Sequence, residues 1–137
     1  MKLARWSSLV LRSDQNVADW LGQKLGLDFG FPLSAIGFAQ DGRLVGAAVF
    51  NNFVGRDIEM SLYAKGVLDR RMCRVLSEMA FIKNPCVRCT AKTRRDNKSA
   101  IRALMAAGFK PEGLMRDHYD GADAVLFGML KSECRFL

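Results

Sequence analysis

The hydrophobic periodicity of the chain changes near residue 69, and this change restricts the folds available to it. Before that point, three segments are suited to β-strands, residues 33–40, 43–50 and 57–63, and in the last of them apolar and polar residues alternate with the period of a strand. Asp41-Gly42 between the first two is a strong hairpin signal, and residues 51–56, with two Asn and a Gly, predict a second turn. The pattern therefore predicts a meander of three antiparallel strands.

After residue 69 the apolar residues recur with helical spacing. Asp69 is suited to cap a helix running to about Ile82, and Asp96 or Asn97 to cap a second helix that Gly108 would end. A short strand separates the two helices and a closing pair of strands follows, over residues 86–92, 109–115 and 122–130. The predicted core side of the second helix comprises Ala100, Ile101, Leu104 and Met105.

A further helix is predicted ahead of the meander. Ser13 is a good N-cap for it, Gly26 can close it, and residues 30–32 then predict a loop. The full order is helix, three strands, helix, strand, helix, two strands, with no internal repeat or linker. A strand–helix–strand crossover in an otherwise antiparallel sheet predicts one α/β (α+β mixed) domain over residues 1–137, with helices on both faces of the sheet.

The charge balance bears on partners. The chain carries 21 Lys+Arg against 14 Asp+Glu, a net charge of +7. Such a surface attracts polyanions, although an incidentally basic surface explains the count equally well. Nucleic acid is not favoured, because clustered stacking aromatics and helix-turn-helix spacing are both missing. No apolar run approaches the ~18 residues of a membrane span and no secretory signal is recognised, so we expect a cytoplasmic protein without a membrane partner.

The four cysteines do not form a convincing metal site. Cys86 and Cys89 have C-x-x-C spacing, but a second pair is missing and the single histidine, His118, is distant in sequence. A structural zinc needs four ligands, and residues three apart on a strand point to opposite faces. We therefore expect Cys73, Cys86, Cys89 and Cys134 to be free thiols, mostly buried, with neither a metal nor a disulfide.

The segment from Asn97 to Gly113, NKSAIRALMAAGFKPEG, carries the most specific motif. It resembles the N-x-x-[AS]-x-x-x-[YL]-x-x-x-G-F-x-x-E-G signature of the GNAT superfamily of N-acetyltransferases. Residues 126–137 look like the last strand of short, phage-associated members, and residues 110–116 look most like branches that modify protein N-termini. The order of elements also fits, so the resemblance covers roughly residues 10–137.

The resemblance implies a GNAT-like sheet whose middle strands, residues 57–63 and 86–92, splay apart, with acetyl-CoA as co-substrate in the gap. Free backbone groups there would pair with the amides of the coenzyme's tether, and the pyrophosphate would meet the N-terminus of the next helix. The implied coenzyme-binding residues are Leu62, Tyr63, Ala64, Arg70, Arg71, Met72, Cys73, Arg74, Asn97, Ile101 and Leu104. Asn97 is equally suited to cap its helix.

Two features depart from the family pattern. The usual [QR]-x-x-G-x-[GA] loop falls on residues 68–73, where the glycines are missing and Asp69 would repel a pyrophosphate. Arg70, Arg71 and Arg74 bring positive charge instead, or form a solvated helix face. The Tyr that protonates the leaving thiolate in many members is Leu104 here. Three basic residues after the second splayed strand could contact the 3′-phosphate of the coenzyme or could have no role in binding: Lys92, Arg94 and Arg95.

Acetyl transfer to an amine needs a base, a donor to the oxyanion and a proton for the leaving thiolate. The resemblance implies Glu59 as the base, acting through water, against the alternative of an ordinary solvent-facing glutamate. It places the oxyanion at backbone N–H groups of residues 62–64, because this strand bulges there in relatives. Tyr63 and, at lower rank, Tyr119 and His118 are candidate proton donors.

The resemblance thus implies an enzyme that moves an acetyl group to a primary amine by direct attack. The acceptor classes left open are a protein N-terminus, a lysine and a small amine. A catalytically degenerate GNAT-fold binding protein is the competing hypothesis, supported by the atypical loop and by Leu104. A homodimer is compatible with the resemblance, although the residues define no oligomeric state.

Overall fold

The computed structural model describes residues 8–10, 14–26, 34–64 and 69–137. The strands are β1 (Ser8–Val10), β2 (Ser34–Gln40), β3 (Arg43–Val54), β4 (Asp57–Ala64), β5 (Arg88–Arg94), β6 (Lys110–Tyr119) and β7 (Ala122–Leu130). The helices are α1 (Asp14–Leu25), α2 (Arg70–Phe81) and α3 (Lys98–Ala107), and a 3₁₀ turn follows at Lys131–Glu133. None of the helices in these ranges is long and apolar enough to cross a membrane.

One mixed sheet contains all seven strands in the order β1-β2-β3-β4-β5-β7-β6. Every neighbouring pair is antiparallel except β4 and β5, which are parallel and connected through α2. The predicted mixed α/β fold, with its mostly antiparallel sheet, is therefore confirmed. The three-residue β1 was not predicted, because a segment so short shows no measurable periodicity.

The two faces of the sheet are covered differently. One face packs against α2 and α3, and its core includes Phe38, Met60, Met72, Leu104 and Phe127. The opposite face, which we call face A, packs against α1 through a smaller cluster that includes Val17, Leu21, Ala47 and Val49. Along β4 the even-numbered side chains belong to the first face and the odd-numbered ones to face A, as strand alternation requires.

Most predicted boundaries agree with the structure. Asp69 caps α2 through its side chain, Asn97 caps α3, and Gly108 ends α3 in the left-handed conformation. Asp41 and Gly42 both have positive φ, as a two-residue hairpin turn requires. The predictions for Ser13, for the loop at residues 30–32 and for two end positions, Leu33 and Leu68, lie outside the described residues.

Three boundary predictions and one core prediction are wrong. The segment 51–54 is strand rather than turn, because Asn52 at φ 51° forms an irregularity that lets β3 continue to Val54. The strand β5 begins and ends two residues later than predicted, and β6 continues to Tyr119 through two register shifts. Met105 is 52% exposed and does not join the core.

Replacing Gly108 with alanine is expected to destabilise the fold by about 1–3 kcal/mol, the usual cost of a non-glycine residue in a strained backbone conformation. Gly108 has φ 109°, and an added Cβ would lie 3.4 Å from Met129 Sδ. Denaturant unfolding of the variant measures the effect. Gly113→Ala is the matched control, because its Cβ would meet no atom within 4 Å. Equal stabilities of the two variants would contradict the prediction.

Candidate functional site

The parallel strands β4 and β5 pair over only part of their length. Four pairs join them, from Asp57 with Arg88 to Met60 with Ala91. Beyond Met60 and Ala91, and among the strands that the structure describes, residues 61–64 pair only with β3 and residues 92–94 only with β7. The two strands therefore part in the middle of the sheet. We call this gap the fork, and the Met60–Ala91 pair its closed end.

The fork exposes backbone groups of β4. The Arg56 carbonyl accepts from the amides of Val87 and Arg88, so it points towards β5. Because successive peptide groups of a strand point to opposite sides, the same direction recurs at Leu62 and Ala64. Their N–H and C=O groups face the fork, whereas those of Tyr63 face β3. No described strand pairs with the groups that face the fork, and an extended ligand with amides can satisfy them.

The bulge expected at residues 62–64 is not present. The pairing of β3 with β4 runs without a shift from Asn51–Glu59 to Gly46–Ala64, and its irregularity lies between Asn51 and Val54 instead. A regular strand keeps the Tyr63 amide on the side of β3. Backbone donors to an oxyanion are thereby limited to alternate residues of β4.

Glu59 lies on face A beside the closed end of the fork and is held by two partners. Lys92 Nζ lies 2.7 Å from Glu59 Oε1, and Asn52 Nδ2 donates to Glu59 Oε2 at 2.7 Å. The side chains of Glu59 and Lys92 are 18% and 23% exposed. Glu59 is therefore partly buried and ion-paired rather than free in solvent, and its role as a base stays a prediction.

The environment of Glu59 keeps it ionised. Burial acts to raise the pKa of Glu59, but the hydrogen bonds from Asn52 and Lys92 and the charges of Lys92 and His118 outweigh it, and the pKa lies below its usual range. Glu59 can therefore accept a proton at neutral pH, although as a weaker base than a free glutamate.

The aromatic candidates divide between two places. Tyr63 packs edge-on against Trp20 of α1 with ring centroids 5.8 Å apart, and Lys24 Nζ lies 5.8 Å from the Tyr63 ring. Tyr119 is half-buried beside His118, with centroids 4.9 Å apart. Burial and the nearby charge of Glu59 raise the pKa of Tyr119. His118 and Tyr119 are thus within electrostatic range of Glu59, whereas Tyr63 contacts α1.

The N-terminus of α2 is closed by Asp69. Its carboxylate accepts from the Met72 amide at 2.7 Å, and its carbonyl accepts from the Cys73 amide. The side chains of Met72 and Cys73 are buried, and burial followed by the charge of Asp69 raises the pKa of the Cys73 thiol to about 11. The side chains exposed here are those of Arg70, Arg71 and Arg74.

The last helix presents one polar and two apolar candidates. Asn97 Oδ1 accepts from the Ala100 amide and from Ser99 Oγ, both at 3.2 Å. Ile101 packs on the core and Leu104 is 7% exposed within it. Leu104 lines an apolar cavity of about 20 Å³ between α2 and α3, which is room for roughly one water. The cavity is too small to hold an acceptor.

Other predicted site residues have structural partners. Lys92 contacts Glu59 rather than facing solvent, so the hypothesis that it meets a coenzyme phosphate is not supported. Arg94 pairs with Asp96 at 3.1 Å, and Arg95 with Asp123 at 3.7 Å. The four cysteines are free thiols, three of them buried. The described ranges contain no cluster of three or more side chains placed to bind a metal.

The sequence does not predict the two partners of Glu59. Asn52 lies in a segment whose composition predicts a turn, and the irregularity in β3 brings its side chain to Glu59. Lys92 follows Thr90 with the period of a strand, and Thr90 is the register partner of Glu59. The register of β5 against β4 therefore places Lys92 on the same face as Glu59, just beyond the Met60–Ala91 pair. This register cannot be obtained from the sequence alone.

Solved structures with the same fold are acetyltransferases. A probable acetyltransferase is 25% identical with a TM-score of 0.63, over 84% of this chain and 68% of its own. RimJ of Mycobacterium smegmatis, solved with CoA-disulfide, is 21% identical with a TM-score of 0.62, over 74% of this chain and 54% of its own. The ribosomal-protein-S5-alanine acetyltransferase of Vibrio fischeri is 12% identical with a TM-score of 0.70, over 98% and 100%.

These structural neighbours are GNAT-family acetyltransferases, and their likeness to this chain establishes a GNAT acetyltransferase fold. The chain spans about half the length of the RimJ chain that it matches. No protein-family model matches the sequence, and no curated protein is detectably similar to it in sequence.

Proposed function

We propose that this protein is a GNAT-family N-acetyltransferase that moves an acetyl group from acetyl-CoA to a primary amine by direct attack. The observation that carries the proposal is the fork between β4 and β5, with an ionised Glu59 beside its closed end. The fork offers free backbone groups where a tether with amides needs them. Glu59 supplies the base that an ammonium acceptor needs.

Each step of the reaction has a candidate group in this chain. Glu59 takes a proton from the acceptor ammonium, directly or through water. The N–H groups of Leu62 and Ala64 face the fork and can donate to the oxyanion that forms when the amine attacks the thioester carbonyl. Leu104, at the position of the usual Tyr, carries no proton to donate to the leaving thiolate. We assign this role to Tyr119, because Tyr63 packs against α1 whereas the charge of Glu59 acts on Tyr119.

The acceptor belongs to the class of primary amines. Two solved neighbours are named for different acceptors: the spermidine N-acetyltransferase SpeG of Vibrio cholerae, solved as a point mutant, and the ribosomal-protein-S5-alanine acetyltransferase. They support an amine acceptor without choosing between a polyamine and a protein N-terminus. We favour a protein or peptide N-terminus, because the Lys110–Arg116 stretch resembles branches that modify N-termini.

Calorimetry with acetyl-CoA tests the proposal. Binding with a micromolar Kd is expected, close to −8 kcal/mol. Absence of binding at millimolar coenzyme would reject it and favour a binding protein built on the same fold. Two observations support that second candidate: the Asp69 carboxylate closes the N-terminus of α2, and Leu104 is buried where many relatives have Tyr.

Replacing Asp69 with serine is expected to tighten binding of acetyl-CoA about two- to five-fold, because it removes a carboxylate that repels the pyrophosphate at a helix N-terminus, where one charge is worth about 0.3–1 kcal/mol. Serine is as good an N-cap as aspartate, so α2 and the melting temperature should be preserved. Calorimetry on both proteins gives the ratio of Kd values. Acetyl-pantetheine, which lacks the pyrophosphate, is the matched ligand control, and its Kd should be the same for both proteins. Weaker coenzyme binding by the variant would contradict the prediction.

A further inference from the structure

We propose that the protein acetylates its own Lys92. The ammonium of Lys92 is held 2.7 Å from Glu59 Oε1, beside the closed end of the fork. This is the position in which an acceptor ammonium would give its proton to the base. The inference rests on the proposed function, because acetyl-CoA supplies the acetyl group.

The direction of the bound coenzyme follows from the fold. The helix α2 begins six residues after Ala64, so a pyrophosphate at its N-terminus lies towards the open end of the fork. A tether paired with Ala64 and then Leu62 runs back along β4, and its thioester ends nearest to the Met60–Ala91 pair. Lys92 is the first residue of β5 beyond that pair.

The approach of the amine is also defined. The face opposite to face A is filled by α2 and α3, which bury Met60 and Ala91. An attacking amine therefore reaches the thioester from face A, where the side chains of Glu59 and Lys92 lie. Lys24 also lies on this face, but its amine is over Trp20 and Tyr63 on the α1 side.

The step balances without any further reactant. Glu59 takes one proton from the Lys92 ammonium, and the neutral Nζ attacks the thioester carbonyl carbon. An N–C bond forms and the C–S bond breaks. The second Nζ proton goes with the leaving thiolate, which gives the CoA thiol, and Glu59 returns its proton to solvent. The products are Nζ-acetyl-Lys92 and CoA.

Burial makes this modification distinguishable from chemical acetylation. The side chain of Lys92 is 23% exposed, whereas that of Lys110 is 70% exposed. A non-specific acetylating ester reacts according to exposure and should modify Lys110 ahead of Lys92. Acetyl-CoA should reverse this order, because the fork delivers the thioester to Lys92.

The experiment incubates the full chain with acetyl-CoA alone and follows each lysine by peptide mass spectrometry. We expect Lys92 to be acetylated first, with a rate constant independent of protein concentration. Lys92→Arg should remove the modification, and Glu59→Gln should slow it by about 10²-fold or more, the usual contribution of a positioned base. Lys83→Arg, at an exposed lysine beyond α2, is the matched control and should leave the Lys92 rate unchanged.

Three results would overturn the inference. Coenzyme binding and peptide acetylation with Lys92 modified no faster than Lys83 would reject self-acetylation and leave the proposed function intact. A rate that rises with protein concentration would assign the modification to transfer between molecules. Failure to bind acetyl-CoA by calorimetry would reject the proposed function and the inference together.

Discussion

Replacing Glu59 with glutamine is expected to lower turnover of a peptide amine by about 10²- to 10⁴-fold, the range for loss of a general base. Glutamine has nearly the same shape but cannot take a proton from an ammonium. Coenzyme affinity should be unchanged, because Glu59 points to face A and not into the fork. Initial rates across a panel of N-terminal peptides, with calorimetry on the same preparations, measure both quantities.

Asp57→Asn provides the matched control for Glu59→Gln. Asp57 lies on the same strand and the same side as Glu59, but two residues further from the closed end of the fork. It accepts from Thr90 Oγ1 at 2.8 Å and lies 3.6 Å from Arg88. Both variants remove one carboxylate from an ion pair, so their melting temperatures should fall by similar amounts. Turnover should be lost only in Glu59→Gln, and equal turnover in the two variants would refute the role of Glu59.

The pH dependence of wild-type turnover should also report the ionisation of Glu59. Because the folded-state pKa of Glu59 is lowered, the carboxylate stays ionised as the pH falls through the usual glutamate range. The acid limb of kcat/KM, which reports the free enzyme, should therefore lie below that range. The lowered pKa also means that ionised Glu59 stabilises the fold. This stabilisation is present above the pKa of Glu59 in the unfolded state and is lost as the pH falls through its pKa in the folded state.

Local signals in the sequence account for most elements of the fold. Asp41-Gly42, Asp69, Asn97 and Gly108 each act through their own backbone or through residues three or four positions away, so the pattern around them predicts the outcome. The end of β3 depends on Asn52. Two Asn and a Gly favour a turn there, but Asn52 adopts a positive φ and the strand continues to Val54. Where a residue can adopt either of two local conformations, the register of its strand determines which one it adopts.

The candidate site was predicted only in part. A family motif on α3 led to the fork and to Glu59, although the motif itself lies in a different element. The partners of Glu59 come from β3 and β5, and their positions depend on two independent registers that no local pattern records. The expected bulge in β4 came from relatives, and the regular pairing of β3 with β4 shows that this chain does not share it.

Replacing Phe127 with alanine is expected to destabilise the protein by about 3–5 kcal/mol, the usual cost of deleting a buried phenyl ring. Phe127 is 0% exposed at the centre of the core between the sheet, α2 and α3. It is the register partner of Ala91, which forms the closed end of the fork with Met60. The cavity would therefore lie directly beside the closed end, and urea unfolding measures the loss of stability.

Phe53→Ala is the control for Phe127→Ala, because the same ring is removed from a side chain that is 46% exposed at the β3–β4 hairpin. A surface substitution of this kind should change stability by no more than about 0.5 kcal/mol. Since β4 and β5 are held together by only four pairs, loosening their last pair should also weaken coenzyme binding in the folded fraction of Phe127→Ala. A variant as stable as Phe53→Ala would show that the ring does not support the junction, and the fork would then owe its shape to the β3 and β7 ladders alone.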